Sequence, residues 1–344
     1  MQFWKSPLGA TILFTVIVLV FQFTDRAESM REIGLLVLLA MATFFIHELG
    51  HVVVGVAAGY QFHFFTAGPI TIERNRIKAN PNWAYFGGIA SCSPKTDNLQ
   101  IISRQHLWFA AGGPIFSIVV ALVSLIAGFL IDAQYVNIFG VMNLGIFLVT
   151  AIPFKGALKS DGRVIWELLK EGVEKEQFVS SLLLLKEMMS HTQPANWSKN
   201  MIEQARRAPA SEENMMMSYL LFYYDLCESG YEAASDNIAS YKALPVHKKN
   251  KMTMQFVTHI KQLDAIMHEQ ATVEYIRELH SMMLPIEPVS FKRSEWIIAK
   301  LEKNEALAEK KLAEHRAKIQ QGMKQYGFYV AEQQLTNLIE QKLN

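Results

Sequence analysis

The sequence predicts an all-α polytopic membrane protein with about four transmembrane helices, a small interfacial β element and a C-terminal α-helical soluble domain. Two observations support this fold class. Residues 1–160 carry 17 charged side chains and include long apolar stretches, whereas residues 161–344 carry 48 and show a helical apolar period. A purely soluble chain is therefore excluded. The net charge of +1, without a basic block, gives no electrostatic support for a nucleic-acid partner.

Four apolar stretches are the predicted spans, at residues 8–23, 33–59, 107–131 and 135–154. A helix needs about 20 residues to cross a hydrocarbon core of roughly 30 Å, and the last three stretches meet that length. The first stretch is shorter. The segment that follows it, Thr24-Asp25-Arg26-Ala27, is a poor signal-peptidase site, so we expect a retained anchor.

The lysines and arginines of the loops predict the orientation. They are frequent in the loop 60–105 and after the fourth stretch, whereas residues 132–134 contain none. The positive-inside rule therefore places the N-terminus, this loop and the C-terminal half in the cytoplasm. We expect the membrane to be that of a bacterial cell. We expect an anchor and short loop at 1–32, a membrane core at 33–165 and a cytoplasmic helical domain at 166–344.

The helical domain is interrupted at Gly230, Pro245 and Pro285. Residues 226–245 have the pattern of a tetratricopeptide-type helical hairpin, although a generic helical bundle explains the domain equally well. Its histidines lack the spacing of metal ligands, and we expect them to be solvated. They are His191, His247, His259, His268, His280 and His315.

The sequence His47-Glu48-Leu49-Gly50-His51 lies within the second apolar stretch. Residues four apart share one helical face, so both imidazoles can bind one Zn²⁺. Glu48 lies beside them, where it can accept a proton from a water molecule. Ionisable residues inside a membrane helix are costly and mark function. We therefore predict one zinc ion per chain.

A catalytic zinc needs a third protein ligand, and two residues are candidates. In soluble thermolysin-like enzymes, a glutamate about twenty residues after the histidines is the third ligand, and Glu73 has nearly that separation. Glu73, however, falls in an alternating stretch, 70–77, that predicts a solvated β-hairpin. Asp161 follows the fourth span directly, at the membrane face where the second span ends. The other interpretation of Asp161 is a cap for the helix that begins at Gly162.

Together with Ala111-Gly112-Gly113-Pro114 and with Ile152-Pro153 before Ser160-Asp161-Gly162, the HELGH motif resembles the site-2 protease family of intramembrane zinc metalloproteases. The resemblance covers roughly residues 33–165. It implies a three-helix catalytic core with Asp161 as the third ligand. The family usually has asparagines where Thr150 and Ser117 stand here, and the resemblance implies that these positions hold substrate or stabilise the oxyanion.

The expected function is that of an intramembrane zinc endopeptidase that cleaves transmembrane proteins or peptides near the cytoplasmic membrane face, in regulated intramembrane proteolysis. One alternative is a catalytically inactive homologue that acts as a membrane scaffold. Another is a membrane metallopeptidase with a glutamate as third ligand.

The expected partners are the bilayer, a transmembrane substrate and, through the helical domain, a second copy or a cytosolic protein. Short strands predicted at 70–77 and 83–88 would bind an unwound substrate by main-chain pairing.

Overall fold

The computed structural model describes residues 3–74, 76–80, 82–154, 159–285 and 288–343. The chain is mostly helical, with a small antiparallel sheet, as the sequence predicts. It divides into two compact units, Met1–Glu176 and Gln177–Asn344.

The helices of the first unit are α1 (Pro7–Phe21), α2 (Ala27–Ala57), α3 (Leu99–Leu130), α4 (Gln134–Ala151) and α5 (Asp161–Leu169). Of these, α2, α3 and α4 are long and apolar enough to span a membrane. They correspond to the three longer predicted stretches. The 15 residues of α1 extend about 22 Å, which is less than the thickness of a hydrocarbon core.

Helices α2 and α3 cross at a point of very close backbone approach. A Cβ atom on Gly50 would collide with the carbonyl group of Gly112, and a Cβ atom on Gly112 would collide with that of Gly50. Small residues at such crossings let membrane helices pack closely. Because Gly50 lies within HELGH and Gly112 opens the Gly-Gly-Pro segment, the crossing brings the two sequence motifs together.

Four short strands connect α2 to α3 and form a sheet in the order β3-β2-β1-β4. They are β1 (Gln61–Ala67), β2 (Ile70–Glu73), β3 (Arg76–Ala79) and β4 (Ile89–Ser93). Strands β2 and β3 form the hairpin that the alternating sequence predicts, with Glu73 opposite Arg76. Strand β4 pairs with β1 and lies at one edge of the sheet.

The prediction of a strand at 83–88 is wrong. Trp83–Tyr85 form a 3-10 turn, in which the amides of Tyr85 and Phe86 bond to carbonyls three residues earlier. Gly88 then adopts a positive φ of 115°. These local bonds satisfy the backbone groups that a strand would offer to a neighbour. The fourth strand begins one residue after Gly88.

The second unit is built from helices, and the boundary between the two units falls within the first of them. They are α6 (Val173–Met188), α7 (Lys199–Arg207), α8 (Met215–Ser229), α9 (Tyr231–Asn237), α10 (Ala239–Lys242), α11 (Gln255–Met267), α12 (Val273–Met282), α13 (Pro288–Leu301), α14 (Glu305–Met323) and α15 (Tyr329–Leu343). The predicted tetratricopeptide-like hairpin falls on α8, α9 and α10. That likeness stays a prediction.

The second unit contains buried charge as well as apolar side chains. Arg293 and Glu332 form an ion pair in which both side chains are at most 2% exposed. His259 accepts a hydrogen bond of 2.6 Å from Arg293, and His315 lies 2.9 Å from the Thr336 hydroxyl. The prediction that these two histidines are solvated is therefore wrong, because each packs in the core against a polar partner.

Candidate metal centre

His47 and His51 lie one turn apart on α2, with their rings directed toward α3. The exposed fractions of the two residues are 4% and 6%, and their Nε2 atoms are 3.3 Å apart. The four-residue spacing places both rings on one helical face, as the sequence predicts. The glycine crossing then covers that face with α3.

Asp161 reaches the same place from the first residue of α5. Its Oδ2 lies 3.2 Å from His47 Nε2, and its Oδ1 lies 3.5 Å from His51 Nε2. The Asp161 carboxylate thus faces the Nε2 atoms of both imidazoles, each with a different oxygen.

Ser160 holds the start of α5 against the end of α4. Its hydroxyl donates to the Ile152 carbonyl at 2.8 Å and accepts from the Phe154 amide at 3.0 Å. It also caps α5 by accepting a hydrogen bond from the Arg163 amide. The capping role that could have explained Asp161 thus belongs to Ser160, and the Asp161 carboxylate is directed toward the histidines.

The second ring nitrogen of each histidine has a partner on α3. His47 Nδ1 lies 3.0 Å from Ser117 Oγ, and His51 Nδ1 lies 2.7 Å from the carbonyl oxygen of Phe109. Because a carbonyl only accepts, we assign the proton of His51 to Nδ1. This tautomer leaves the Nε2 lone pair available to a metal, an arrangement usual for histidine ligands.

Gly113 leaves the space that the two rings occupy. A Cβ atom at this position would clash with His51 Nε2 and would lie 2.8 Å from His47 Cε1. Pro114 follows it inside α3 and has no amide hydrogen for the helical ladder. The Gly-Gly-Pro segment therefore shapes the pocket that holds the histidines, and this accounts for its place in the sequence pattern.

The three side chains fit a single zinc ion. Tetrahedral zinc with ligand bonds of about 2.0–2.2 Å requires ligand atoms roughly 3.3–3.6 Å apart. The two Nε2 atoms are 3.3 Å apart, and one ligand atom from each of the three residues lies within 4.8 Å of the others, so small side-chain shifts bring all three to one ion. Two imidazoles and a carboxylate are also a donor set that zinc accepts. His47, His51 and Asp161 therefore form a candidate metal site.

Glu48 lies between this cluster and the sheet. A Cβ atom on Gly88 would lie 2.5 Å from Glu48 Cγ and 2.7 Å from Glu48 Oε1, so Gly88 provides the room for this side chain. The backbone of Ala90, in β4, forms a hydrogen bond with the Glu48 carboxylate. The carboxylate is thus positioned between the two histidines of its own helix and an edge strand.

Glu73 is engaged elsewhere. Its carboxylate forms ion pairs with Arg76, at 2.5 Å, and with Lys78 across the β2–β3 hairpin. Burial would raise the pKa of Glu73, but these two cations lower it. The carboxylate placed against the two histidines in the described structure is that of Asp161.

Thr150 and Ser117, the two positions expected to serve the substrate, each form a hydrogen bond within the chain. Thr150 Oγ1 donates to the Ile146 carbonyl of its own helix at 2.9 Å, whereas the Ser117 hydroxyl is bonded to His47. Asn143, two turns earlier on α4, donates to Thr43 and to the Phe139 carbonyl. The roles of Thr150 and Ser117 toward a substrate stay predictions.

Sequence reasoning missed the contribution of Phe109. A backbone carbonyl has no side-chain signature, and the only clue was the position of Phe109 four residues before Gly113 in the Gly-Gly-Pro segment. Ala90 was missed for a similar reason, since its backbone group acts only after β4 is placed.

Fold and site define a class: a membrane protein in which a long apolar helix and the short helix α5 bring together a candidate histidine–aspartate metal site. The family model for peptidase family M50 matches residues 34–299, which is more than three quarters of the chain. The chain therefore belongs to peptidase family M50, the site-2 protease family, and at the family level it is a metallopeptidase. No curated protein and no solved structure matches it.

Proposed function

We propose that this protein is an intramembrane zinc endopeptidase that hydrolyses peptide bonds of transmembrane substrates near the cytoplasmic membrane face. The observation that carries the proposal is the meeting of His47 and His51, on a helix that can span a membrane, with Asp161 of α5, and with Glu48 beside them. The HELGH histidines and Asp161 would hold one zinc ion.

A bound zinc ion supplies Lewis acidity, which makes water a nucleophile at neutral pH and polarises a carbonyl group. The Glu48 carboxylate takes the proton of the attacking water and delivers it to the leaving amine as the C–N bond breaks. Ser117 and the Phe109 carbonyl keep the histidine rings oriented. The close packing of α3 over the site limits the water that surrounds these groups.

Strand β4 would bind the substrate. It lies at the edge of the sheet, and Ala90 within it contacts Glu48. A transmembrane helix hides its carbonyls in helical hydrogen bonds, so the scissile segment must unwind before attack. An unwound segment can pair with a free strand edge through its main chain, and the bound peptide would then lie next to the general base.

We propose that α1 is a membrane anchor, that the N-terminus and the helical domain lie in the cytoplasm, and that the protein resides in the bacterial cell membrane. The helical unit would recognise a cytosolic part of the substrate or a second copy of the chain. These assignments rest on the distribution of lysine and arginine and on the helical composition of residues 177–344.

The decisive experiment uses the full chain in lipid nanodiscs, with a panel of membrane-tethered substrates. Metal analysis should find one zinc per wild-type chain and none in Asp161→Ala. The Glu48→Gln variant should retain zinc but lose at least about 100-fold in cleavage rate, because only the general base is removed.

The two rival functions give different results. An inactive scaffold would bind zinc but cleave no substrate in either form. A site with Glu73 as a ligand would lose zinc in Glu73→Gln and keep it in Asp161→Ala. Cleavage by Glu48→Gln at the wild-type rate would contradict the assigned mechanism.

A further inference from the structure

Tyr60 and His106 form a hydrogen-bonded pair beside the metal centre that the mechanism above does not use. Tyr60 follows the C-terminal end of α2 and is 1% exposed. Its hydroxyl lies 2.9 Å from Nδ1 of His106, which is on α3. The bond therefore joins the end of the helix that carries the two histidines to the neighbouring helix.

The ring of Phe109 packs against both members of this pair. The ring centroid of Phe109 lies 5.7 Å from that of Tyr60, in a stacked arrangement, and 5.3 Å from that of His106. It also lies 5.3 Å from the ring of His51. Phe109 is therefore enclosed by three rings, one of which belongs to a candidate metal ligand.

Gly55 permits this packing. It lies one turn after His51 on α2, and a Cβ atom there would approach Cδ2 of Phe109 to 2.6 Å. Any larger residue would push the Phe109 ring, and with it the backbone of α3, away from α2. The contacts of the Phe109 ring with Gly55 on one side and with Tyr60 and His106 on the other therefore set the position of the α3 backbone at Phe109.

The backbone of Phe109 orients His51, because its carbonyl oxygen accepts the Nδ1–H bond at 2.7 Å. A hydrogen bond of this kind fixes the ring angle and the tautomer of a histidine ligand. If α2 and α3 slipped relative to each other, the carbonyl would no longer face Nδ1. The Tyr60–His106 bond opposes that slippage, because it joins Tyr60, which follows the C-terminal end of α2, to α3 about one turn before Phe109.

We propose that Tyr60 and His106 are positioning residues of the metal centre: their hydrogen bond holds Phe109 against α2, and the Phe109 carbonyl directs Nε2 of His51 toward the metal. Neither residue binds the metal or touches the substrate. The inference rests on the metal site of the proposed function.

The test measures Co²⁺ binding by the full chain in nanodiscs, with affinity from chelator competition and site geometry from the visible absorption spectrum. Tyr60→Phe removes only the hydroxyl and keeps the ring. Tyr60→Phe should weaken Co²⁺ binding by about 10-fold, the lower end of the loss in metal affinity that follows removal of an outer-shell partner. It should also change the absorption spectrum. His106→Leu should do the same. The double variant should bind no more weakly than His106→Leu alone, because the bond that Tyr60→Phe would break is already lost.

His63→Asn is the matched control. It breaks another histidine–hydroxyl bond of the same unit, between His63 Nε2 and Ser93 Oγ at 2.6 Å. It should leave Co²⁺ affinity and the spectrum unchanged. The unfolding midpoint of the metal-free protein should fall by similar amounts in Tyr60→Phe and His63→Asn. A loss of Co²⁺ affinity in Tyr60→Phe alone then reflects the position of the ligand and not the stability of the fold.

Wild-type affinity and spectrum in both Tyr60→Phe and His106→Leu would overturn this inference and leave the proposed function standing. Equal losses of affinity in His63→Asn and Tyr60→Phe would also overturn it, because the effect would then be one of stability. A wild-type chain that binds no Co²⁺ would overturn the proposed function and this inference together.

Discussion

Ser117 Oγ lies 3.0 Å from Nδ1 of His47, across the crossing of α2 and α3. Ser117 is fully buried, so this contact is formed where water does not compete. The sequence resemblance places Ser117 where related enzymes have an asparagine that serves the substrate. In this structure its hydroxyl is bonded to a candidate metal ligand.

Ser117→Ala should therefore weaken zinc binding by about 10-fold, because outer-shell partners set the orientation and basicity of histidine ligands. Chelator competition measures this change. Ser124→Ala, a buried serine two turns further along α3, is the control and should bind zinc normally. A substrate role for Ser117 would give the opposite pattern, with normal zinc affinity and a lower kcat/KM.

Gly113→Ala should abolish zinc binding, since the added methyl group would occupy the space of the two imidazole rings. We expect a loss of affinity of about 100-fold or more, which isothermal titration would detect. Gly145→Ala is the matched control. A Cβ atom on Gly145, in α4, would meet no other atom within 4 Å, so this variant should bind zinc as the wild type does. Wild-type binding by Gly113→Ala would mean that the rings do not occupy the positions described.

The histidine pair and Asp161 could be predicted because helical periodicity and membrane topology determine where they lie. Four-residue spacing alone puts His47 and His51 on one face. A residue that directly follows the fourth apolar stretch must lie at the membrane face, where the second stretch also ends. These relations depend on chain geometry rather than on detailed packing.

One of the errors has a local cause and the other has a tertiary cause. Aromatic residues and a Gly-Gly pair at 83–88 fit a strand or a turn, and the i to i+3 bonds of the turn prevail. His259 and His315 show no motif, because their partners Arg293 and Thr336 are distant in sequence. The carbonyl of Phe109 could not be predicted at all, since every residue has one.

The arrangement around Glu167 predicts a second route to loss of the metal. This buried carboxylate accepts hydrogen bonds from Lys159 at 2.6 Å and Arg163 at 2.8 Å, on either side of Asp161. Glu167→Gln removes the charge that both cations face, at a cost of about 1–3 kcal/mol. The start of α5 should loosen, and zinc should dissociate faster. Glu171→Gln, which changes an exposed carboxylate paired with Lys175, should leave the dissociation rate unchanged.

Topology gives another prediction. Reporters of membrane sidedness inserted at residues 132–134 should face the outside of the cell, and reporters in the loop 60–105 or after Asn344 should face the cytoplasm. The reason is the concentration of lysine and arginine in the loop and beyond the fourth stretch. Enzymatic fusion reporters active on only one side of the membrane measure this. A cytoplasmic signal from 132–134 would reverse the side on which the zinc centre lies.

The buried histidine of α14 makes the stability of the chain depend on pH. Burial, and secondarily the charge of Arg293, lowers the pKa of His315 to about 3. In the unfolded chain the same group takes up a proton near pH 6.5. Between these values the unfolded state binds more protons than the folded one, so stability is complete above about pH 6.5 and decreases as the pH falls below it.

From pH 7.5 to pH 5.0, His315 alone should lower the free energy of unfolding by about 2 kcal/mol, since each pH unit in this window contributes about 1.4 kcal/mol. Denaturant unfolding of the full chain in nanodiscs, followed by circular dichroism at both pH values, measures the change. His315→Gln cannot take up the proton, so the difference between the two pH values should shrink by that amount even if the variant is less stable at both. His191→Gln alters an exposed histidine and should show the wild-type difference. An unchanged difference in His315→Gln would mean that His315 is protonated in the folded chain at pH 5.0, and that its burial does not exclude the charge.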